Sequence, residues 1–277
     1  MSLADQIYIN NYKYMLKHGF WTEDENLRWS DGEKVKTLNC FGIVNRYNLQ
    51  EEFPILTLKK TNFFMAVDEI LWIWQKKSNR IKDLGNHTWD QLADNEGSIG
   101  KAYGYQLGIK HKYPEGEFDQ VDKLLYDLKN NPYSRRMYAN MYNFADLYES
   151  QIYPCAYSLT LSVTNGKVNA ILNQRSQEML YSNNWNVCQY GVLLMMFSYS
   201  CGYEPGEMLH VISSAIIYDR HLPILDAVIR SNEYEAPDVT VQKGIDFYEY
   251  KKKSFSIDNY RYNEIDVKAE QPIRMHP

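Results

Sequence analysis

The stretch that decides the fold runs from Tyr153 to Ser176 and reads YPCAYSLTLSVTNGKVNAILNQRS. Leu159, Leu161 and Val163 alternate with polar residues, Asn165-Gly166 marks a turn, and Val168, Ala170 and Leu172 alternate again. Alternation on both sides of Asn-Gly predicts a β-hairpin, because Asn and Gly tolerate the positive φ that a tight hairpin turn requires. Cys155 stands at the mouth of the first strand and Arg175 at the end of the second, so pairing outward from the turn brings thiol and guanidinium together. A cation beside sulfur lowers the thiol pKa and raises the fraction of nucleophilic thiolate. Taken alone, Cys155 fits better the common fate of a free cysteine, a small buried hydrophobe.

Working outward, Ala4–His18 has helical character, with Gly19 as its stop. Lys34–Leu49 reads as extended structure with Val35, Leu38, Cys40 and Val44 facing inward. Asn62 caps an apolar helix over Phe63–Gln75, which puts Glu69 on one face with Met65, Ala66, Trp72 and Ile73. A carboxyl buried there without a cation would hold its proton more tightly, which suits acid/base work; at the edge of a half-exposed helix it would be a simple charge. A helix over Gln120–Asn131 stops at Pro132, and Ser134-Arg135-Arg136 follows. Paired guanidiniums suit a phosphate, although they also suit open solvent.

Downstream of the hairpin, a linking segment reaches Trp185-Asn186 and a buried helix runs from Val187 to Gly202. A short strand at Met208–Ile212, a loop through Tyr218, a helix at Leu222–Arg230 and a Tyr- and Lys-rich β-like tail complete the chain. No repeat, low-complexity run or linker interrupts residues 1–277, which predicts one domain of α/β (α+β) class, a β-sheet packed by helices.

Composition narrows the function. The 277 residues are 44% hydrophobic and 23% charged, as in an ordinary globular protein. Thirty basic against 35 acidic side chains give a net charge of −5, so no global field attracts nucleic acid or an anionic membrane, and an anionic ligand needs a local arginine cluster. Cys40, Cys155, Cys188 and Cys201 are dispersed and no secretory signal is visible, which points to the reducing cytoplasm. Val187–Cys201 contains Gln189, Ser198 and Ser200 and is shorter than the ~20 residues of a membrane span. The histidines at 18, 87, 111, 210, 221 and 276 lack ligand spacing and no CxxC occurs, so no metal site is expected. Neither glycine-rich phosphate cradle is present.

Tyr153-Pro154-Cys155, Asn173-Gln174-Arg175-Ser176 and Asn184-Trp185-Asn186-Val187-Cys188-Gln189-Tyr190 together resemble the thymidylate synthase family. Phe53-Pro54-Ile55-Leu56-Thr57-Leu58-Lys59-Lys60, Glu69-Ile70-Leu71-Trp72, Thr88-Trp89-Asp90, Gly100-Lys101-Ala102-Tyr103-Gly104, Asn131-Pro132-Tyr133-Ser134-Arg135-Arg136 and Ile217-Tyr218 extend the likeness over nearly the whole chain. It implies a kinked mixed sheet, a homodimer, and methylation of dUMP with 5,10-methylenetetrahydrofolate and no metal. In that family Cys155 would match the nucleophile, Glu69 the organiser of proton transfers and Tyr103 the assistant in removing the C5 proton. Arg175, Ser176 and, in an altered loop, Arg28 would match phosphate ligands, with Arg135 and Arg136 reaching the partner subunit's phosphate. Asn186 would read the uracil edge, Tyr218 the sugar 3′-hydroxyl, and Lys59, Trp89 and Glu178 would lie on the folate side.

Several positions depart from the family pattern. Ala156 follows the nucleophile where histidine is usual, and Ser213-Ser214-Ala215-Ile216-Ile217-Tyr218 replaces Gly-Asp-x-His-x-Tyr. Glu178 stands for aspartate, Ser182 for glycine and Leu92 for a second tryptophan, and the chain ends on Met275-His276-Pro277. Two rivals therefore stand beside a synthase: a pyrimidine-nucleotide hydroxymethylase, for which Leu92 and Ile216 leave room but which Trp89 opposes, and a catalytically silent paralog that binds nucleotide or RNA.

Overall fold

The structure, a computed structural model, describes residues 2–265 and 271–274; the Met275-His276-Pro277 ending and His276 lie outside them. Helix α1 (Leu3–His18) starts where the Ser2 side chain accepts from the Asp5 amide. It ends at Gly19, where a Cβ would meet the Met15 carbonyl at 2.6 Å. Strands β1 (Phe20–Arg28) and β2 (Lys34–Asn48) follow, then α2 (Phe63–Ile70), which continues without a break into a π-helical turn at Leu71–Gln75. A short α3 (Gly104–Gly108) and a small hairpin of β3 (His111–Tyr113) and β4 (Gly116–Phe118) precede α4 (Gln120–Asn130), capped by the Asp119 carboxylate.

Strand β5 (Tyr138–Asn140) leads to the hairpin, β6 (Ala156–Thr164) and β7 (Lys167–Gln174), and then to a two-residue β8 (Gln177–Glu178). Helix α5 (Ser182–Ser200) is buried along most of its length, and β9 (Glu204–Tyr218), α6 (Leu222–Ile229), β10 (Asp238–Val241), β11 (Phe255–Asp258) and β12 (Ile273–Arg274) finish the order.

The hairpin has the expected register, with Thr164 opposite Lys167 and Leu159 opposite Leu172. The main sheet runs β12-β1-β2-β9-β7-β6-β5, and β8 adds to β9. β7 and β8 pair with β9 in parallel, whereas the other pairs are antiparallel, so the sheet is mixed. A parallel pair needs a long crossover, and α5 supplies it. That helix sits in an apolar cluster with Trp72, Trp74 and Phe197, while Tyr8, Met15, Leu38 and Ile217 belong to a second cluster.

Three sequence expectations need correction. The strand at Met208–Ile212 with a loop to Tyr218 is one continuous β9, because β2 pairs along it from Thr37↔Tyr218 to Asn48↔Glu207 and β8 covers Ala215 and Ile216. Helix α5 starts at Ser182, so part of the supposed linking segment is helical. Val44 is 57% exposed rather than inward. The cause is Gly42 at φ +75°: the buried residues Leu38 and Cys40 give way after it to Ile43, Asn45 and Tyr47. β9 changes phase at the same level, from Met208, His210 and Ile212 to Ala215 and Ile217, so both strands exchange their buried face there.

Candidate active site

A cleft of about 510 Å³ opens at the end of the hairpin where β6 starts and β7 stops. Cys155 lies in its wall, just before β6. The Arg175 amide donates to the Cys155 carbonyl at 2.9 Å, extending the hairpin by one bond, and the Arg175 Nη2 then lies 3.7 Å from Cys155 Sγ. The same guanidinium donates to the Tyr153 carbonyl at 2.7 Å and, through Nε, to the Pro154 carbonyl at 3.1 Å. It therefore clamps the turn that presents the thiol. The expected direction of the pKa shift does not hold: Arg175 and Tyr103 pull the Cys155 thiol down, but burial outweighs them and leaves it raised from 9.0.

Tyr103 is placed to help. Its hydroxyl accepts from the Cys155 amide at 2.9 Å, and burial holds the phenol well above its ordinary value, so it stays protonated and can donate. Its backbone is at φ +47°, ψ −106°, a costly conformation for a bulky residue. Gly104 follows because a Cβ there would meet the Ser78 carbonyl at 2.4 Å.

Glu69, on α2, is 4% exposed and lines the cleft as its spacing predicts. Burial raises its pKa from 4.5, partly offset by Gln189, Trp89 and Trp185. Trp185 Nε1 donates to Glu69 Oε2 at 3.2 Å. Trp89 stands edge-on to Tyr103 at 5.4 Å, and with Met65, Leu92 and Trp185 it makes an apolar wall suited to a flat heterocycle.

Asn186, in α5, also faces the cleft. Its Oδ1 accepts from Gln174 Nε2 at 2.9 Å and its Nδ2 donates to Gln189 Oε1 at 3.1 Å, leaving one lone pair and one N–H for a ligand. Ser176, Ile216 and Tyr218 line the remaining end, with Glu178 and Ser182 beside them. Both Glu178 carboxylate oxygens are engaged, by the Leu180 amide at 2.8 Å, the Tyr181 amide at 2.7 Å and His221 Nδ1 at 3.1 Å.

Five expected site residues are not on this wall, and the first is Arg175, whose guanidinium reaches the Cys155 thiol without lining the cleft. Lys59 is 6% exposed, and burial lowers its pKa to about 8 against the upward pull of Glu178, so the folate-side role expected of it has no direct access to the cleft. Arg28 ends β1 and donates to its neighbour's carbonyl at Leu27. Arg135 and Arg136 are exposed between α4 and β5, beside a hollow of about 280 Å³ formed with Thr160–Val163, at the opposite end of β6 from Cys155. Sequence reasoning did not single out Gln174, Trp185 or Gln189 as working residues. For Gln189 the signal is an amide in the midst of an apolar helix, inside the motif that carries the resemblance but with no role read from it. Among the described residues no group of three or more His, Cys, Asp or Glu could hold a metal ion, and no helix is long and apolar enough to cross a membrane.

The family model for thymidylate synthase matches residues 6–271. Thymidylate synthase of Bacillus subtilis subsp. natto is 38% identical over 272 residues, covering 95% of this chain and 97% of that protein. The thymidylate synthase of Bacillus phage phi3T is likewise 38% identical with the same coverage. The solved structure of the thermostable thymidylate synthase A from Bacillus subtilis superposes with a TM-score of 0.93 at 36% identity, covering 99% of this chain and 100% of that one.

Proposed function

The chain belongs to the thymidylate synthase family, and from that premise we propose which of its residues carry the family's reaction. That reaction is the reductive methylation of dUMP to dTMP, with 5,10-methylenetetrahydrofolate as cosubstrate supplying the carbon and the hydride. The relatives compared are synthases, and nothing in them favours the hydroxymethylase or the silent paralog.

Cys155 adds to C6 of the pyrimidine and leaves an enolate at C5, which attacks the folate methylene. Tyr103, with its hydroxyl against the Cys155 amide, assists loss of the C5 proton, and Glu69 organises the proton transfers from across the cleft. Tetrahydrofolate departs and returns hydride to the exocyclic methylene, Cys155 is expelled, and dTMP and dihydrofolate result. Trp89, Trp185 and Leu92 give the folate ring its apolar wall and exclude the water that would divert the methylene. Glu178 stands on the folate side, its carboxylate held by the backbone of α5's approach. Asn186 reads the uracil edge, Tyr218 the sugar hydroxyl, and Arg175 and Ser176 the phosphate, with Arg28 contributing from β1. The observation that carries the proposal is Cys155 Sγ 3.7 Å from Arg175 in a cleft that also holds Tyr103 and Glu69.

The whole chain acts as one domain and pairs as a homodimer through the outer face of the sheet. Support comes from register: Val44 lies opposite Val211, Leu209 opposite Ile171, and Phe41 nearby is 83% exposed, so an apolar surface faces away from the core. Arg135 and Arg136, far from their own cleft, would reach the partner's phosphate across that interface. The unpaired Cys40, Cys155, Cys188 and Cys201 support a reducing compartment, the cytoplasm. Intact-mass analysis after incubation with 5-fluoro-dUMP and methylenetetrahydrofolate tests the nucleophile. The ternary adduct should form on the native chain and vanish in Cys155→Ser; an adduct that persists in that variant overturns the assignment.

A further inference from the structure

His210, in the middle of β9, is fully buried and has no place in the reaction as described. Its Nε2 lies 2.9 Å from Gln174 Oε1. Gln174 in turn donates from Nε2 to Asn186 Oδ1 at 2.9 Å and to the Ser176 carbonyl at 3.1 Å. A backbone carbonyl can only accept, so the Ser176 bond requires the Gln174 NH2 to point that way and its oxygen to face His210. His210 must then carry its proton on Nε2. Burial lowers its pKa to about 3, so the ring is neutral and has one N–H to give. The other nitrogen, Nδ1, is a bare acceptor with no hydrogen-bond partner among the described residues. Asn45, opposite on β2 in register, likewise has a buried Nδ2 without a partner among the described residues.

The consequence falls on the base. With Gln174 Nε2 on its Oδ1 and Gln189 Oε1 on its Nδ2, Asn186 can offer the cleft one lone pair and one N–H in a single arrangement. Those match the N3–H and O4 of uracil; the N3 and 4-amino group of cytosine need the amide turned over, which would set N–H against N–H at Gln174 and oxygen against oxygen at Gln189. We propose that His210 is a positioning residue that, together with the Ser176 carbonyl and Gln177 Nε2 at 3.4 Å from the same Gln174 oxygen, holds through Gln174 the sense of the Asn186 amide and so strengthens selection of uracil over cytosine. The inference rests on Asn186 as the reader of the base.

Equilibrium titration of dUMP and dCMP against the dimeric protein, followed by the fluorescence of cleft tryptophans, reads the ratio of their dissociation constants. In His210→Phe the preference for dUMP should fall about tenfold, the scale of one oriented hydrogen bond, and His210→Gln, which returns an N–H at similar reach, should restore it. Equal weakening of both nucleotides, or an unchanged ratio in His210→Phe while Asn186→Ala loses selectivity, overturns the role of His210 and spares that of Asn186. An unchanged ratio in Asn186→Ala overturns the base reading itself. If His210→Phe does not fold, ring ¹⁵N shifts of the native protein decide: a proton on Nε2 at neutral pH is expected, and one on Nδ1 contradicts the relay.

Discussion

Burying the Glu69 carboxyl among Trp89, Trp185 and Gln189 raises its folded-state pKa above 4.5, so the ionised form is disfavoured in the folded protein. The penalty is absent below the unfolded value, grows as pH climbs past it toward the folded value, and is fully present above. Glu69→Gln removes the penalty. Its Tm should therefore exceed that of the native protein at pH 8 and converge with it near pH 4, while kcat falls by ~10²–10⁴-fold, the usual worth of acid/base assistance. A variant with lower Tm at pH 8 would mean that the carboxylate is stabilised in place. Under the proposed assignment of Tyr218 to the sugar, with Ile216 where the family has histidine, removing the 3′-hydroxyl from the nucleotide should raise KM only by the worth of one hydrogen bond, ~0.5–1.5 kcal/mol or about two- to tenfold. Steady-state kinetics with dUMP and 2′,3′-dideoxy-UMP measure it, and a far larger penalty would show a second partner. The position of Glu69 on the cleft wall was legible in its helical spacing, whereas Tyr218 and Ile216 were singled out only through resemblance to the family. The raised Cys155 thiol was not legible, since no spacing reports how far burial outweighs a neighbouring arginine.

At the scale of elements, Gly42 is the residue to test, because β2 and β9 both change face at its level. A Cβ at Gly42 would meet nothing within 4 Å, so Gly42→Ala adds only the backbone cost of φ +75°, ~1–2 kcal/mol. Urea unfolding should show a lower midpoint with an unchanged m-value; no loss would mean the backbone there is free to relax. The β6–β7 hairpin was legible because turn and strands are local in sequence. β9 past Ile212 was not: Ser213-Ser214 looks like a loop, and the strand exists because β2 and β8 supply partners from distant sequence. The π-helical turn at Leu71–Gln75 was hidden for a related reason, since its apolar residues fit an ordinary helix equally well.

For the molecule as a whole, the account requires two chains per working site. Arg135 and Arg136 lie at the end of β6 away from Cys155, so in the proposed homodimer they would serve the partner's cleft across the interface. Mixing inactive Cys155→Ser with inactive Arg136→Ala should restore up to about a quarter of the native activity, because random exchange makes half the dimers mixed and each mixed dimer has one intact site. No recovery despite demonstrated subunit exchange would remove the arginines from the site. The homodimer was an expectation from resemblance alone, and the exposure of Phe41 that supports it could be seen only in the fold. The central claim, methylation of dUMP through Cys155, is tested most directly by product analysis after incubation with dUMP and methylenetetrahydrofolate. The account predicts dTMP and dihydrofolate in equal amounts and neither from Cys155→Ser; hydroxymethyl-dUMP, or no product from the native chain, would contradict it.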